Sequence, residues 1–136
     1  MDRIKEMSCC FPKREHLCGQ ERISALYKEG TRFIAFPMRV TYRYLLDDEV
    51  EHCIDDCPRV QVLVWAPKNL FKKATDRNRV RRLMREAYRL EKEPLFAWCE
   101  EQNKYLQIAF NYMDKQERSL EELRGSMRKA IKKILS

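Results

Sequence analysis

The sequence predicts an α+β fold: one small sheet with helices packed on it, a two-layer α/β sandwich in the order α-β-β-α-β-α. Three observations carry this. The 136 residues suit one domain, taken as residues 1–136. The hydrophobic fraction is 44% against 36% charged, enough for one core beneath a highly charged exterior. Apolar residues recur with a period of two in some stretches and near 3.6 in others, so strands and helices interleave.

Residues 1–18 show no clear period and read as an irregular arm that contains Phe11-Pro12-Lys13. Ile23, Leu26 and Tyr27 then stand at i, i+3 and i+4, a short helix that Gly30 is placed to end. From Thr31 to Leu46 the period is two. Phe36, Met38, Val40, Tyr42 and Tyr44 alternate with Pro37, Arg39, Thr41, Arg43 and Leu45, which predicts one long strand with Pro37 at a bulge or edge. Residues 47–57 hold six acids and no Lys or Arg, an exposed acidic loop. Val60 to Trp65 is a short β-prone run closed by Pro67. Asp76 is a candidate N-cap for a helix that can run to the residue before Pro94. Leu106, Ile108, Phe110 and Tyr112 give another strand one apolar face. Leu120, Leu123, Met127, Ala130 or Ile131, and Ile134 space out an amphipathic C-terminal helix, opened by a capping box from Ser119 to Glu122.

Charge is the functional signal. There are 28 Lys and Arg against 21 Asp and Glu, a formal net charge of +7. The window from Lys68 to Lys92 holds ten cations and three acids, so it carries the whole excess. A concentrated charge of this kind marks a polyanion-binding face. Place Arg77 at 0° on a helical wheel. Arg81 then falls near ~40°, Arg85 ~80°, Asn78 ~100°, Arg89 ~120° and Arg82 ~140°. Leu90, Leu83, Ala87, Val80 and Met84 take the other side, from about 220° to 340°. A solvated helix face normally mixes signs to gain i,i+4 pairs. Here Arg77, Arg81, Arg85 and Arg89 repeat like charges at that spacing, and Glu86 alone offers relief. Phosphates would neutralise such a row, and guanidinium groups suit bidentate phosphate contacts. Lys68, Lys72 and Lys73 extend the patch, and Asn78 adds a neutral donor and acceptor for a sugar or base edge.

Other chemistry finds little support. The longest uncharged run is Tyr105 to Met113, too short for the ~20 residues of a membrane helix. Asp2, Arg3, Lys5 and Glu6 leave no apolar signal segment, so the six cysteines are expected reduced, in a cytoplasmic protein. A protein nuclease would need paired carboxylates or a histidine acid and base. The two histidines, His16 and His52, sit in the arm and the acidic loop. His52, Cys53 and Cys57 offer three zinc ligands with no second cysteine pair, so no metal site is expected.

The run Arg77-Asn78-Arg79-Val80-Arg81-Arg82-Leu83-Met84-Arg85-Glu86-Ala87-Tyr88 closely resembles the RNR motif of the bacterial ribonuclease P protein family. The lysine-rich loop from Lys68 to Ala74, Phe11-Pro12-Lys13 with Leu17, and a short helix ending near Gly30 stand where that family has them. His16 stands where the family often has Arg, and Ile23 and Tyr27 where it often has a cleft aromatic. The resemblance implies a left-handed β-α-β crossover, against the usual hand. It also implies a job. The protein joins a catalytic RNA, which with Mg²⁺ removes the 5′ leader of precursor tRNA, while the protein binds the leader and supports the catalytic core. No residue of this chain is then catalytic. Lys68, Lys72, Lys73, Arg77, Asn78, Arg79, Arg81, Arg82, Arg85 and Arg89 would contact the catalytic RNA. Phe11, Lys13, Ile23, Tyr27, Arg39 and Thr41 would form the leader cleft. Two rivals share the charge and size: a ribosome-associated RNA-binding protein, and a nuclease that needs no RNA.

Overall fold

The computed structural model describes residue 17, residues 20–45 and residues 59–135. The acidic loop at 47–57 and nearly all of the N-terminal arm, with Phe11 and Lys13, lie outside the described residues. The elements are α1 (Gln20–Glu29), β1 (Thr31–Ala35), β2 (Met38–Tyr44), β3 (Val60–Trp65), α2 (Ala74–Glu91), α3 (Glu93–Glu101), β4 (Leu106–Tyr112) and α4 (Leu120–Leu135). The sheet order is β1-β2-β4-β3. β4 is antiparallel to β2 and parallel to β3, so α2 and α3 lie in a β-α-β connection. The α+β class holds, and the element order is richer than expected.

The long strand expected over 31–46 is a hairpin. Ala35 pairs with Met38, and the two-residue turn holds a cis peptide bond between Phe36 and Pro37. The alternation hid the reversal because a two-residue turn leaves a period of two intact. Phe36, assigned to the apolar face, therefore sits exposed at the hairpin tip with the Arg118 guanidinium 5.3 Å from its ring centre.

The basic helix also differs at both ends. It starts at Ala74 after Lys73, so Asp76 is not the cap but lies in the first turn, where its charge meets the positive end of the helix dipole. It stops at Glu91 rather than continuing to the residue before Pro94. Pro94 occupies the first turn of the new helix α3, where its missing N–H costs no bond, and Leu95 and Cys99 bury one face of that helix. At α4 the Ser119 side chain caps the helix as expected: the Glu122 N–H donates to Ser119 Oγ at 3.2 Å, and the Ser119 hydroxyl in turn donates to Glu122 Oε1 at 3.3 Å.

One sheet face carries the core. Met38 and Val40, Val60, Val62 and Val64, and Leu106, Ile108, Phe110 and Tyr112 pack with Val80, Met84, Ala87 and Tyr88 of α2, and with Leu123, Met127, Ala130, Ile131 and Ile134 of α4. Alternation sends Leu63 and Ala109 to the opposite face. There α1 covers them with Leu26, Ile23 and Tyr27, and Leu17 joins through its N–H bond to the Val62 carbonyl. The long helices thus fill one face, and α1 covers only part of the other.

Candidate nucleic-acid interface

The part that α1 leaves open is a cleft of about 550 Å³. Its floor is Thr41, nearly fully buried, and Asn111; its rim carries Tyr27, Arg32 and Arg39. Pro67, with Asn69 and Leu70 of the lysine loop, forms the far wall. Arg39 is exposed and makes no hydrogen bond or ion pair among the described residues, so a guanidinium stands available over the sheet. Tyr27 is half-buried, and its hydroxyl donates to Asn111 Oδ1 at 3.1 Å. The Tyr27 carbonyl accepts from Arg32 Nη2 at 2.5 Å. Further along this face Arg43 is buried between Gln107 Oε1, at 3.3 Å, and Glu29 Oε2, at 3.2 Å. That ties α1 to the sheet at its C-terminal end.

Of the residues expected in the cleft, Tyr27, Arg39 and Thr41 come together. Ile23 does not line it; it packs against the cluster of Leu17, Leu26 and Ala109, as an apolar residue at helical spacing commonly does. Asn111, Arg32 and the loop residues were not anticipated. Asn111 had a signal: it is polar in an apolar strand, on the face opposite Phe110 and Tyr112.

The arginine row divides into two kinds. Arg77 turns inward, and its Nη1 donates to the carbonyls of Phe71, at 2.8 Å, and Lys72, at 3.0 Å. It therefore shapes the lysine loop, which Phe71 anchors by packing its ring 5.7 Å from that of Tyr112. Burial of one such ring contributes about 2 kcal/mol. Arg79 pairs with Glu117 at 3.1 Å and Asp76 at 3.8 Å, bracing α2 against the segment before α4. Arg89 pairs with Glu86, and its hydrogen bond holds the Glu86 carboxyl below the usual carboxylate range.

Arg81, Arg82 and Arg85 are the outward set. Arg81 donates to Asn78 Oδ1 and lies 5.8 Å from the Trp65 ring centre. Arg82 is exposed and makes no ion pair among the described residues. Arg85 is exposed too, and desolvation, with Arg81 one turn away, pushes its pKa below the ordinary value. The crowding inferred from the wheel is thus present over these residues. Lys68, Lys72 and Lys73 are exposed in the loop that precedes α2.

Catalytic groups are a different matter. Among the described residues no three of His, Cys, Asp or Glu come together as metal ligands, and no helix is long and apolar enough to cross a membrane. His16, His52, Cys53 and Cys57 lie outside the described residues.

Comparison with known proteins supplies the lineage. The ribonuclease P protein component of Porphyromonas gingivalis strain W83 is 33% identical over 122 residues, covering 90% of this chain and 84% of that protein. The ribonuclease P protein component of Chlorobaculum tepidum is 34% identical over 134 residues, covering 93% and 83%. Among solved structures, the RNase P protein of Staphylococcus aureus at 2.0 Å superposes with a TM-score of 0.56 at 15% identity, covering 88% of this chain and 94% of that one. A mutant of that protein described as defective in mRNA degradation gives 0.61 at 14%, covering 98% and 95%. The family model described as Ribonuclease P matches residues 11–135, and with nearly the whole chain covered, this protein belongs to the ribonuclease P protein family.

Proposed function

We propose that this ribonuclease P protein, a subunit of the tRNA 5′-processing ribonuclease, uses two separate surfaces for two RNAs. The outward guanidinium groups of Arg81, Arg82 and Arg85, with Lys68, Lys72 and Lys73, take the phosphates of the catalytic RNA. Arg77, Arg79 and Arg89 hold the loop and helix that present them. The cleft of Tyr27, Arg39, Thr41 and Asn111 takes the single-stranded 5′ leader of precursor tRNA. An open sheet face with the exposed Arg39 and an aromatic rim suits unstacked bases, and phosphate neutralisation there is indifferent to sequence.

The observation that carries this is the split of the arginines: Arg82 and Arg85 are exposed and Arg81 reaches over the Trp65 ring, whereas Arg77, Arg79 and Arg89 are spent on protein carbonyls and carboxylates, with a second cationic site on the other sheet face. The Mg²⁺ ions that activate water would be held mainly by the RNA subunit, as the family resemblance implies. This chain neutralises phosphate charge and positions the leader, in a complex placed in the cytoplasm.

The test is reconstitution with a bacterial ribonuclease P RNA and a precursor tRNA at low Mg²⁺. Cleavage at the mature 5′ end, faster than with RNA alone, is expected. No stimulation by the protein would sink the reading.

A further inference from the structure

Register across the sheet places four residues in one row on the cleft face. Ile34 pairs with Arg39, Arg39 with Asn111, and Asn111 with Trp65. Residues paired in register share a face, so the row crosses all four strands. α1 reaches it only through Tyr27, whose hydroxyl meets Asn111. The preceding row, with Ala109 and Leu63, is the one α1 covers. Trp65 stands at the far end, on the edge strand, with 46% of its surface exposed. It is two strand spacings, roughly 10 Å, from Arg39. The Arg81 guanidinium lies 5.8 Å from its ring centre.

We propose that Trp65 and Arg81 form a stacking subsite for one unpaired nucleobase, at the end of the row that starts in the leader cleft. The inference rests on the RNA-binding reading above and adds a residue and a ligand class to it. Three features point to a base rather than an apolar partner. The Arg81 guanidinium lies 5.8 Å from the indole ring centre, so anything seated on the indole also meets a cation. An aromatic plane with a guanidinium beside it accepts any base, because every base has a π face. The exposed apolar side chains of this row, Ile34 and Trp65, stand at opposite ends of it, roughly 14 Å apart, and form no continuous patch of the size a protein interface needs. The base has two possible sources, the substrate leader or an unpaired position of the catalytic RNA.

Two measurements decide. The chain has two tryptophans, so in Trp98→Phe protein the indole signal reports on Trp65. That protein is titrated with a short single-stranded RNA and with the same RNA made abasic throughout. Quenching by the first and not the second is expected. Trp65→Ala and Trp65→Phe are then assembled with the catalytic RNA. Trp65→Ala is expected to weaken one affinity about tenfold, and Trp65→Phe much less. If the precursor-to-mature tRNA ratio falls, the base comes from the leader. If the affinity for the catalytic RNA falls, it comes from that RNA. The proposal is overturned if both affinities keep their wild-type values, or if the abasic RNA quenches as well as the intact one. Arg39→Ala with Tyr27→Ala, measured in parallel, reports on the cleft reading separately, so either can fail alone.

Discussion

The Tyr27 hydroxyl donates to Asn111 Oδ1 at 3.1 Å, joining the open side of α1 to the strand that floors the cleft. Tyr27 is therefore neither plain core nor a free stacking platform: its hydroxyl fixes the rim and its ring edges the cavity. The two functions separate by mutation. Tyr27→Phe removes the bond and leaves Asn111 Oδ1 to solvent in the cleft. It should lower stability by about 1 kcal/mol and barely change leader binding. Tyr27→Ala with Arg39→Ala should lower the affinity ratio of precursor to mature tRNA in the reconstituted complex, and leave assembly with the catalytic RNA intact. A double mutant with the wild-type ratio would place the leader elsewhere.

Arg81 and Arg85 carry like charges one turn apart, and desolvation first, then the Arg81 charge, lowers the Arg85 pKa from its ordinary value. Their double replacement by Ala should not destabilise the free protein, and relief of the repulsion is worth about 0.2–0.5 kcal/mol. RNA affinity should nevertheless fall, and the slope of log K against log salt should become shallower by about one to two units. An unchanged slope means that these side chains do not reach the RNA backbone.

Arg77 should behave in the opposite way. Its two bonds to the Phe71 and Lys72 carbonyls shape the loop that also walls the cleft. Arg77→Ala is expected to lower the unfolding free energy by about 1–2 kcal/mol, since charged donors give the stronger bonds. Arg77→Lys should rescue only in part, because both bonds come from Nη1 and a lysine ammonium ends one bond short of that position. Thermal unfolding of the two variants decides. Full stability of Arg77→Ala would return this residue to the phosphate-binding set.

Much of this was legible because it rests on periodicity. The core faces of β2, β3, β4, α2 and α4 follow from spacing alone, and so does the side of α2 that Arg81, Arg82 and Arg85 occupy. What spacing leaves open is the partner of each charge. Arg77 and Arg81 sit on one arc of the wheel, yet one bonds two loop carbonyls and the other faces Trp65. That depends on where residues 66–73 pass, which only tertiary packing decides. The hairpin at Phe36-Pro37 was missed because alternation continues through it. The helix α3 was missed because Pro94 signals a stop and a start equally well. Ile23 shows the reverse error, an apolar helical residue given to a cleft when its neighbours are core.

Cys99 is fully buried in α3, and burial pushes its thiol up from 9.0 to about 11. Tyr44 and Tyr112, also desolvated, are pushed up from 10.0 to about 12. In each case the folded state holds the proton more tightly than the unfolded chain. Their contribution to stability is complete below the unfolded values and is lost as pH rises through the folded ones. The unfolding midpoint should therefore fall progressively from about pH 9 upward, first through Cys99. Cys99→Ala should flatten the part of that decline between pH 9 and 11, whatever it costs in packing. The same decline in wild type and Cys99→Ala would remove the thiol from the account. Alkylation gives a second check, since native Cys99 should react only after denaturant opens α3.

Gly30 joins α1 to β1 where the helix meets the cleft floor. Its N–H donates to the Leu26 carbonyl at 2.8 Å, closing the last turn. A Cβ built there would stand 2.5 Å from the Leu26 carbonyl oxygen, 2.8 Å from Thr41 Cγ2 and 3.0 Å from the Tyr42 carbonyl oxygen. Two of those three atoms are backbone and the third belongs to a buried floor residue, so none can yield by a rotamer change. Gly30→Ala must lift the end of α1 away from β2. Overpacking of this kind costs about 1–3 kcal/mol. The shift also moves Tyr27 off Asn111 and displaces the rim from Arg39. The variant should thus lose stability and, in the reconstituted complex, discriminate precursor from mature tRNA less well. Its salt-dependent affinity for the catalytic RNA should stay close to wild type, because Arg81, Arg82 and Arg85 are mounted on α2 across the sheet. Gly125→Ala is the control: nothing lies within 4 Å of a Cβ at that position, so a helical alanine there should be tolerated or mildly stabilising. Equal behaviour of the two alanine variants would show that α1 can give way without disturbing the cleft.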